Sequence, residues 1–192
     1  MSYPEALGIL ELTSIARGWR VLDDMIKRAP ARVRAAHPIS SGKFLIFLEG
    51  DLAAVEEAMG AGRRAASRCV AGDVLLTRCH SAVWAALDGA LATPAIDALG
   101  VVESLSIADT ILGADAAMKA AQVQLVALRM GQGIDGKGYF AVAGSLSEVE
   151  AAIDDATQRM RSQQIIELEL LARPHEEMTR ALLNLPTIHD PY

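Results

Sequence analysis

Apolar positions along the chain alternate between short continuous runs and helical stripes. Ala6-Leu7-Gly8-Ile9-Leu10-Glu11-Leu12 opens with a run of strand length. Thr13-Ser14 then supplies side-chain oxygens that can cap a helix, and Ile15, Leu22, Met25, Ile26 and Ala29 predict its buried face. Pro30 ends the helix, and Val33-Arg34-Ala35 alternates as a half-buried strand does. Ser40-Ser41-Gly42 turns the chain into Phe44-Leu45-Ile46-Phe47-Leu48, a run too short and too aromatic for a helix, so this pair reads as a hairpin. Asp51 is placed to cap a second helix with Leu52, Val55, Met59 and Ala66 inside, followed by the strand Val74-Leu75-Leu76 and a short helix from Ser81 to Leu87.

The pattern then starts again. Ala6-Leu7-Gly8-Ile9-Leu10-Glu11 returns as Ala98-Leu99-Gly100-Val101-Val102-Glu103, and Ser14-Ile15-Ala16 as Ser106-Ile107-Ala108, each 92 residues on. Gly42-Lys43 returns as Gly136-Lys137 after 94, so the second copy carries two extra residues in the preceding loop; His80 returns as His175. Ser145-Leu146-Ser147-Glu148 reads as a capping box at the second helix of the second copy. Each half is β-α-β-β-α-β plus a terminal helix, the split βαβ pattern of ferredoxin-like folds in the α/β (α+β) class. The two domains are placed at 4–92 and 96–184, joined near Thr93-Pro94. Domains this small bury a modest core, which favours association.

Charge narrows the field. With 24 acidic against 18 basic side chains in 192 residues, the chain lacks the basic footprint of a nucleic-acid partner. Met1-Ser2-Tyr3-Pro4-Glu5 has neither the basic start nor the apolar core of a secretory leader, and no apolar run approaches the roughly 20 residues of a bilayer span. The expectation is a cytoplasmic protein with no membrane partner. Cys69 and Cys79 have no Cys-x-x-Cys spacing and read as core thiols.

A catalytic constellation is not found. His80 and His175 recur at a strand-to-helix junction and read as turn residues, while His37 and His189 have no neighbour at a metal-ligand spacing. Glu11 and Glu103 each end a first strand, where a structural hydrogen-bonding role outweighs acid-base work. Gly131-Gln132-Gly133-Ile134-Asp135-Gly136 lies between two strands, whereas a nucleotide fingerprint needs a helix directly after it. Arg63, Arg64, Arg68, Arg159 and Arg161 read as solvated or subunit-facing helix residues. No catalytic residue, metal site or cofactor is expected.

The chain resembles a known family, the tandem-domain shell proteins of bacterial microcompartments. The resemblance runs from about Glu5 to Leu183 and is carried by Ala6 to Gly18, by Ser41-Gly42-Lys43-Phe44 and by Ala172-Arg173-Pro174-His175-Glu176. Because the first strand comes first in each half, it is similar to the unpermuted class, as in propanediol-utilisation compartments; the circularly permuted class fits poorly. The resemblance implies a structural, non-enzymatic homotrimer whose six domains form a pseudohexagonal tile in the microcompartment shell, beside hexameric and pentameric shell proteins. It places Ile39, Ser40, Ser41 and Gly42, with Gln132, Gly133, Ile134 and Asp135, around a central pore for small metabolites. It places Lys27 and Lys119 at the tile edge with Arg78 and Arg173, although the first half reads Arg78-Cys79-His80 and lacks the proline of Arg173-Pro174-His175. Some related shell proteins carry a cysteine where this chain has Ser40, and three such thiolates hold an iron-sulfur cluster; serine is a far poorer ligand. Two other readings stay open at this point: a redox shell protein with a pore-bound cluster, and a ferredoxin-like metabolite-binding protein or enzyme.

Overall fold

The computed structural model describes residues 3–184; His189 and the tail around it lie outside the described residues. The first repeat runs β1 (Ala6–Leu12), α1 (Ile15–Arg28), β2 (Arg32–Ile39), β3 (Lys43–Gly50), α2 (Leu52–Ala66), β4 (Val70–Thr77) and α3 (Ser81–Leu87). The second runs β5 (Ala98–Ser104), α4 (Ile107–Ala120), β6 (Gln124–Met130), β7 (Gly138–Gly144), α5 (Leu146–Arg159), β8 (Ile165–Ala172) and α6 (Glu176–Leu183). Both sheets are antiparallel, ordered β2-β3-β1-β4 and β6-β7-β5-β8. Even their irregularities match: the register shifts between Glu11 and Leu12 and between Val33 and Ala35 recur between Glu103 and Ser104 and between Leu125 and Ala127.

The central strands are buried on both faces, which explains why they read as continuous apolar runs. In the first sheet, Leu10, Leu12, Phe44, Ile46 and Leu48 meet Val21 and Met25 of α1 and Val55 and Met59 of α2. Gly8 and Gly100 let the second helix of each repeat lie close to its strand. A Cβ on Gly8 would come within 2.9 Å of Val55, and one on Gly100 within 2.8 Å of Val149.

Two compact units result, and their boundary is not that of the repeat. One unit reaches Cys79 and includes Gly133–Gly136; the other takes His80–Gln132 and the chain from Lys137 onward. Helix α3, the end of the first repeat in sequence, packs on β6 and α4 in the second unit. In that unit, α6 lays Met178, Leu182 and Leu183 against a cluster of Leu99, Val126, Ala127, Ala141 and Ala143.

Several local expectations need correction. Gly18, Val21 and Met25 form the buried line of α1, whereas Ile15 and Ile26 are exposed. With Trp19, whose ring meets Phe44 edge-on at 4.8 Å between centroids, they make a second, exposed stripe, because α1 approaches β3 along Gly18, where the Phe44 ring fills the space of a side chain; Leu22 stays partly buried against the core. Val33 on β2 is likewise exposed, and β4 starts earlier than the apolar triplet Val74-Leu75-Leu76. Ser14 caps α1 as expected, its Oγ accepting from the Arg17 N–H at 3.3 Å. Asp51 and Ser145 make no side-chain cap. Instead a distant carboxylate, Glu5, accepts from the Leu52 N–H at 3.0 Å, and Glu148 turns to the Gln122 N–H at 2.6 Å. Arg161 is no helix-face residue either: it follows α5 and grips buried Asp109 through its backbone N–H at 3.0 Å and its Nε at 3.0 Å.

Candidate functional site

The strand-to-strand loop of the first repeat is a tight turn over Ser40–Gly42, with Ser41 and Gly42 at positive φ. Ile39 anchors it in the interior, so Ser40, Ser41 and Gly42 are the residues solvent meets. The counterpart loop uses four positive-φ residues, Gly131, Gly133, Asp135 and Gly136. Glycine suits such positions because it has no Cβ to clash. Gln132, Gly133 and Asp135 are exposed and Ile134 is half-buried.

Gly133–Gly136 belongs to the same compact unit as Ser40 and Ser41, and the two segments touch. Ser41 Oγ donates to the Asp135 carbonyl at 2.8 Å and also meets the Asp135 carboxylate. A Cβ on Gly136 would stand 2.7 Å from the Ser40 carbonyl, so only glycine permits this approach.

Behind each loop stands the same ion pair. Lys43 Nζ is 2.7 Å from Glu11, whose side chain is fully buried, and it also donates to the Gly136 carbonyl at 3.2 Å. Lys137 Nζ is 3.1 Å from Glu103 in a more open setting. The recurrent Gly-Lys thus fixes the loop base to the first strand, and Glu11 and Glu103 have the structural role expected of them. His37, on β2 beside the loop and opposite Leu45, has its pKa lowered by partial withdrawal of the ring from water.

Lys27 and Lys119 are exposed near the ends of α1 and α4. Each is held by an aspartate one turn earlier, Asp23 at 2.6 Å and Asp115 at 2.5 Å. Arg78 and Arg173 are exposed with φ near 50°, and their N–H groups donate to the Glu5 and Asp97 carbonyls, both at 2.8 Å. The Pro174 present only in the second half therefore does not set this turn: Arg78 adopts the same left-handed conformation without it. His80 and His175 are helix caps, each Nδ1 accepting at 3.2 Å from the N–H two residues on. Cys69 lies in the turn before β4 and Cys79 is buried after it, so neither belongs to either loop. Among the described residues no three His, Cys, Asp or Glu side chains gather as a metal site, and no helix is long and apolar enough to cross a membrane.

The bacterial microcompartment (BMC) domain family matches residues 6–91 and 98–174. The chain belongs to the bacterial microcompartment shell proteins. It is 37% identical over 180 residues to the shell protein PduT of Citrobacter freundii, covering 93% of this chain and 98% of that one. Carboxysome shell protein CcmK2 of Synechococcus elongatus matches at 33% over 89 residues, 44% of this chain and 84% of the relative. A crystal structure of a microcompartment protein from Desulfitobacterium hafniense aligns with TM-score 0.77 and 34% identity over 91% of this chain and 98% of that one. A fused, permuted shell protein from the RMM microcompartment shares the fold at 20% identity, with TM-score 0.61 over 80% and 82% of the two chains. This shell protein is therefore a tandem, unpermuted member, and its place is the microcompartment shell.

One feature of the shell protein's candidate site escapes sequence reasoning. The Ser41–Asp135 contact joins residues 94 apart, and only the equivalence of the two loops hints at it. The aspartate that steadies Lys27 and Lys119 is readable from the sequence, since Asp23-Lys27 and Asp115-Lys119 both have the spacing that faces charges on one helix side.

Proposed function

We propose that this shell protein is a structural, non-enzymatic tile. Three copies close a ring of six domains; the loops Ile39 to Gly42 and Gln132 to Asp135 surround a central opening for small metabolites, and Lys27, Lys119, Arg78 and Arg173 meet neighbouring hexameric and pentameric tiles. One observation carries this reading: the two repeats agree in element order, sheet order and the position of every bulge. Units that alike can take equivalent places in one ring, and a head-to-tail interface closes when its rotation allows. Exposed Ser41, Gly42 and Gly133, with half-buried Ser40, support the opening, because hydroxyls donate and accept hydrogen bonds with a small polar solute. No redox centre enters this reading, since Ser40 stands where a thiolate ligand would be needed.

Native mass spectrometry at micromolar concentration tests the ring. The expected species is three chains; a stable monomer or dimer overturns it.

A further inference from the structure

The corner of the first repeat where β1 gives way to α1 carries positive charge that no described carboxylate balances. The Thr13 N–H donates to the Cys69 carbonyl at 2.9 Å, which ties the start of α1 to the turn between α2 and β4. Arg17 stands in the first turn of α1, Arg64 in the last turn of α2 and Arg68 in the turn that follows, all three exposed. Most basic side chains of the described residues sit in ion pairs, among them the neighbouring Arg20 with Asp24 and Arg63 with Asp73. Arg17, Arg64 and Arg68 have no carboxylate partner among the described residues.

The same corner of the second repeat is closed by its own residues. The Leu105 N–H donates to the Gln164 carbonyl at 2.8 Å, the equivalent tie. There the residue 92 positions after Arg17 is Asp109, which accepts from Arg161 Nε at 3.0 Å, and the residue 94 positions after Arg64 is uncharged Gln158. One repeat therefore neutralises its corner with an internal ion pair, and the other gathers three cations. The fold does not favour the second arrangement. Like charges repel, and the first turn of a helix, the positive end of its dipole, suits Asp109 on α4 but not Arg17 on α1.

We infer that Arg17, Arg64 and Arg68 form a binding site for a small polyanionic solute, one carrying phosphate groups or several carboxylates. A guanidinium offers paired N–H donors that match either group. One exposed contact contributes little after screening, so a solute gains only by reaching two or three of the arginines at once. Their layout fits that demand: Arg64 extends back along α2, its Nη1 3.4 Å from where a Cβ on Gly60 would stand, so the charge forms a strip suited to separated anionic groups. The site lies within one repeat of one chain and does not depend on the ring.

Amide-resolved NMR of the full chain at low ionic strength, titrated with inorganic pyrophosphate and separately with citrate, tests the site. Saturable shifts confined to residues 14–18 and 64–69 are expected; a response to pyrophosphate alone, to citrate alone or to both supports the site and tells phosphate from carboxylate. Arg17→Gln with Arg68→Gln alters exposed positions, should keep the parent's circular dichroism, and should weaken binding about tenfold or more. Arg159→Gln with Arg180→Gln removes the same net charge from the second repeat, at exposed side chains, and should bind as the parent does. Unsaturable or scattered shifts, parental affinity in the first double variant, or an equal loss in the second overturns the site. An aspartate-rich peptide that binds more tightly than both anions overturns the small solute in favour of an acidic protein segment.

Discussion

Lys43 and Lys137 occupy equivalent positions yet sit in different dielectric surroundings. Lys43 faces a carboxylate with no exposure, whereas Glu103, the partner of Lys137, is 36% exposed. Removing one member of a buried pair strands a charge, while an exposed pair contributes little after screening. Lys43→Ala should therefore destabilise the protein by about 3–5 kcal/mol and Lys137→Ala by under about 1 kcal/mol. Urea unfolding at one fixed protein concentration checks the contrast, and equal losses would mean that water reaches Glu11. At this scale the sequence was only partly readable. Glu11 and Glu103 could be read as structural from their place at strand ends, but their lysine partners lie 32 and 34 residues away across the sheet. The failed caps have the same cause: Asp51 and Ser145 have suitable side chains, but Glu5 supplies the bond at Leu52 from 47 residues away. Local spacing cannot reveal a competitor brought in by the fold.

The elements themselves were legible because apolar runs and stripes of different period separate strands from helices. The orientation of α1 was not. It carries apolar residues on both the Gly18-Val21-Met25 line and the Ile15-Trp19-Ile26 line, and periodicity does not say which of two stripes the sheet receives. Glycine decides it, by allowing the Phe44 ring against the helix backbone. Close approach at Gly8 and Gly100 makes a graded prediction. Alanine at Gly8 presses on Met59, a flexible side chain, as well as Val55; alanine at Gly100 presses on Ile153 and Val149, both β-branched. Overpacking costs about 1–3 kcal/mol, so Gly100→Ala should sit near the top of that range and Gly8→Ala near the bottom. Thermal unfolding of the two variants should order them so; the reverse order would show that α5 shifts more readily than α2.

For the whole molecule, the repeat and its fold were readable from spacing alone, whereas the pore and edge assignments came through resemblance to the family. No composition or period marks a turn of serine and glycine as anything more than a turn. Edge chemistry can be tested on the assembled protein. In the proposed ring, Lys27→Ala with Lys119→Ala should leave the three chains together and reduce lateral sheets or shells in electron microscopy, because both lysines are exposed and buried Asp115, on losing Lys119, keeps the His80 N–H as a donor at 2.7 Å. Alanine is preferred to a reversed charge, since Asp115 beside Lys119 is buried and would repel a glutamate. Sheets as abundant as those of the parent would mean that these lysines only serve their neighbouring aspartates.

The two loops are unequal, one of them longer by two residues and carrying Asp135 where the other carries Ser41. Had each domain been a separate gene product in a ring of six, any change in that loop would appear six times around the axis at once. In the proposed ring of three fused chains the step is halved. A mutation here alters alternate positions only, so an opening can acquire a mixed lining of hydroxyls and carboxylates, and evolution can adjust its charge and width in smaller increments than sixfold symmetry permits.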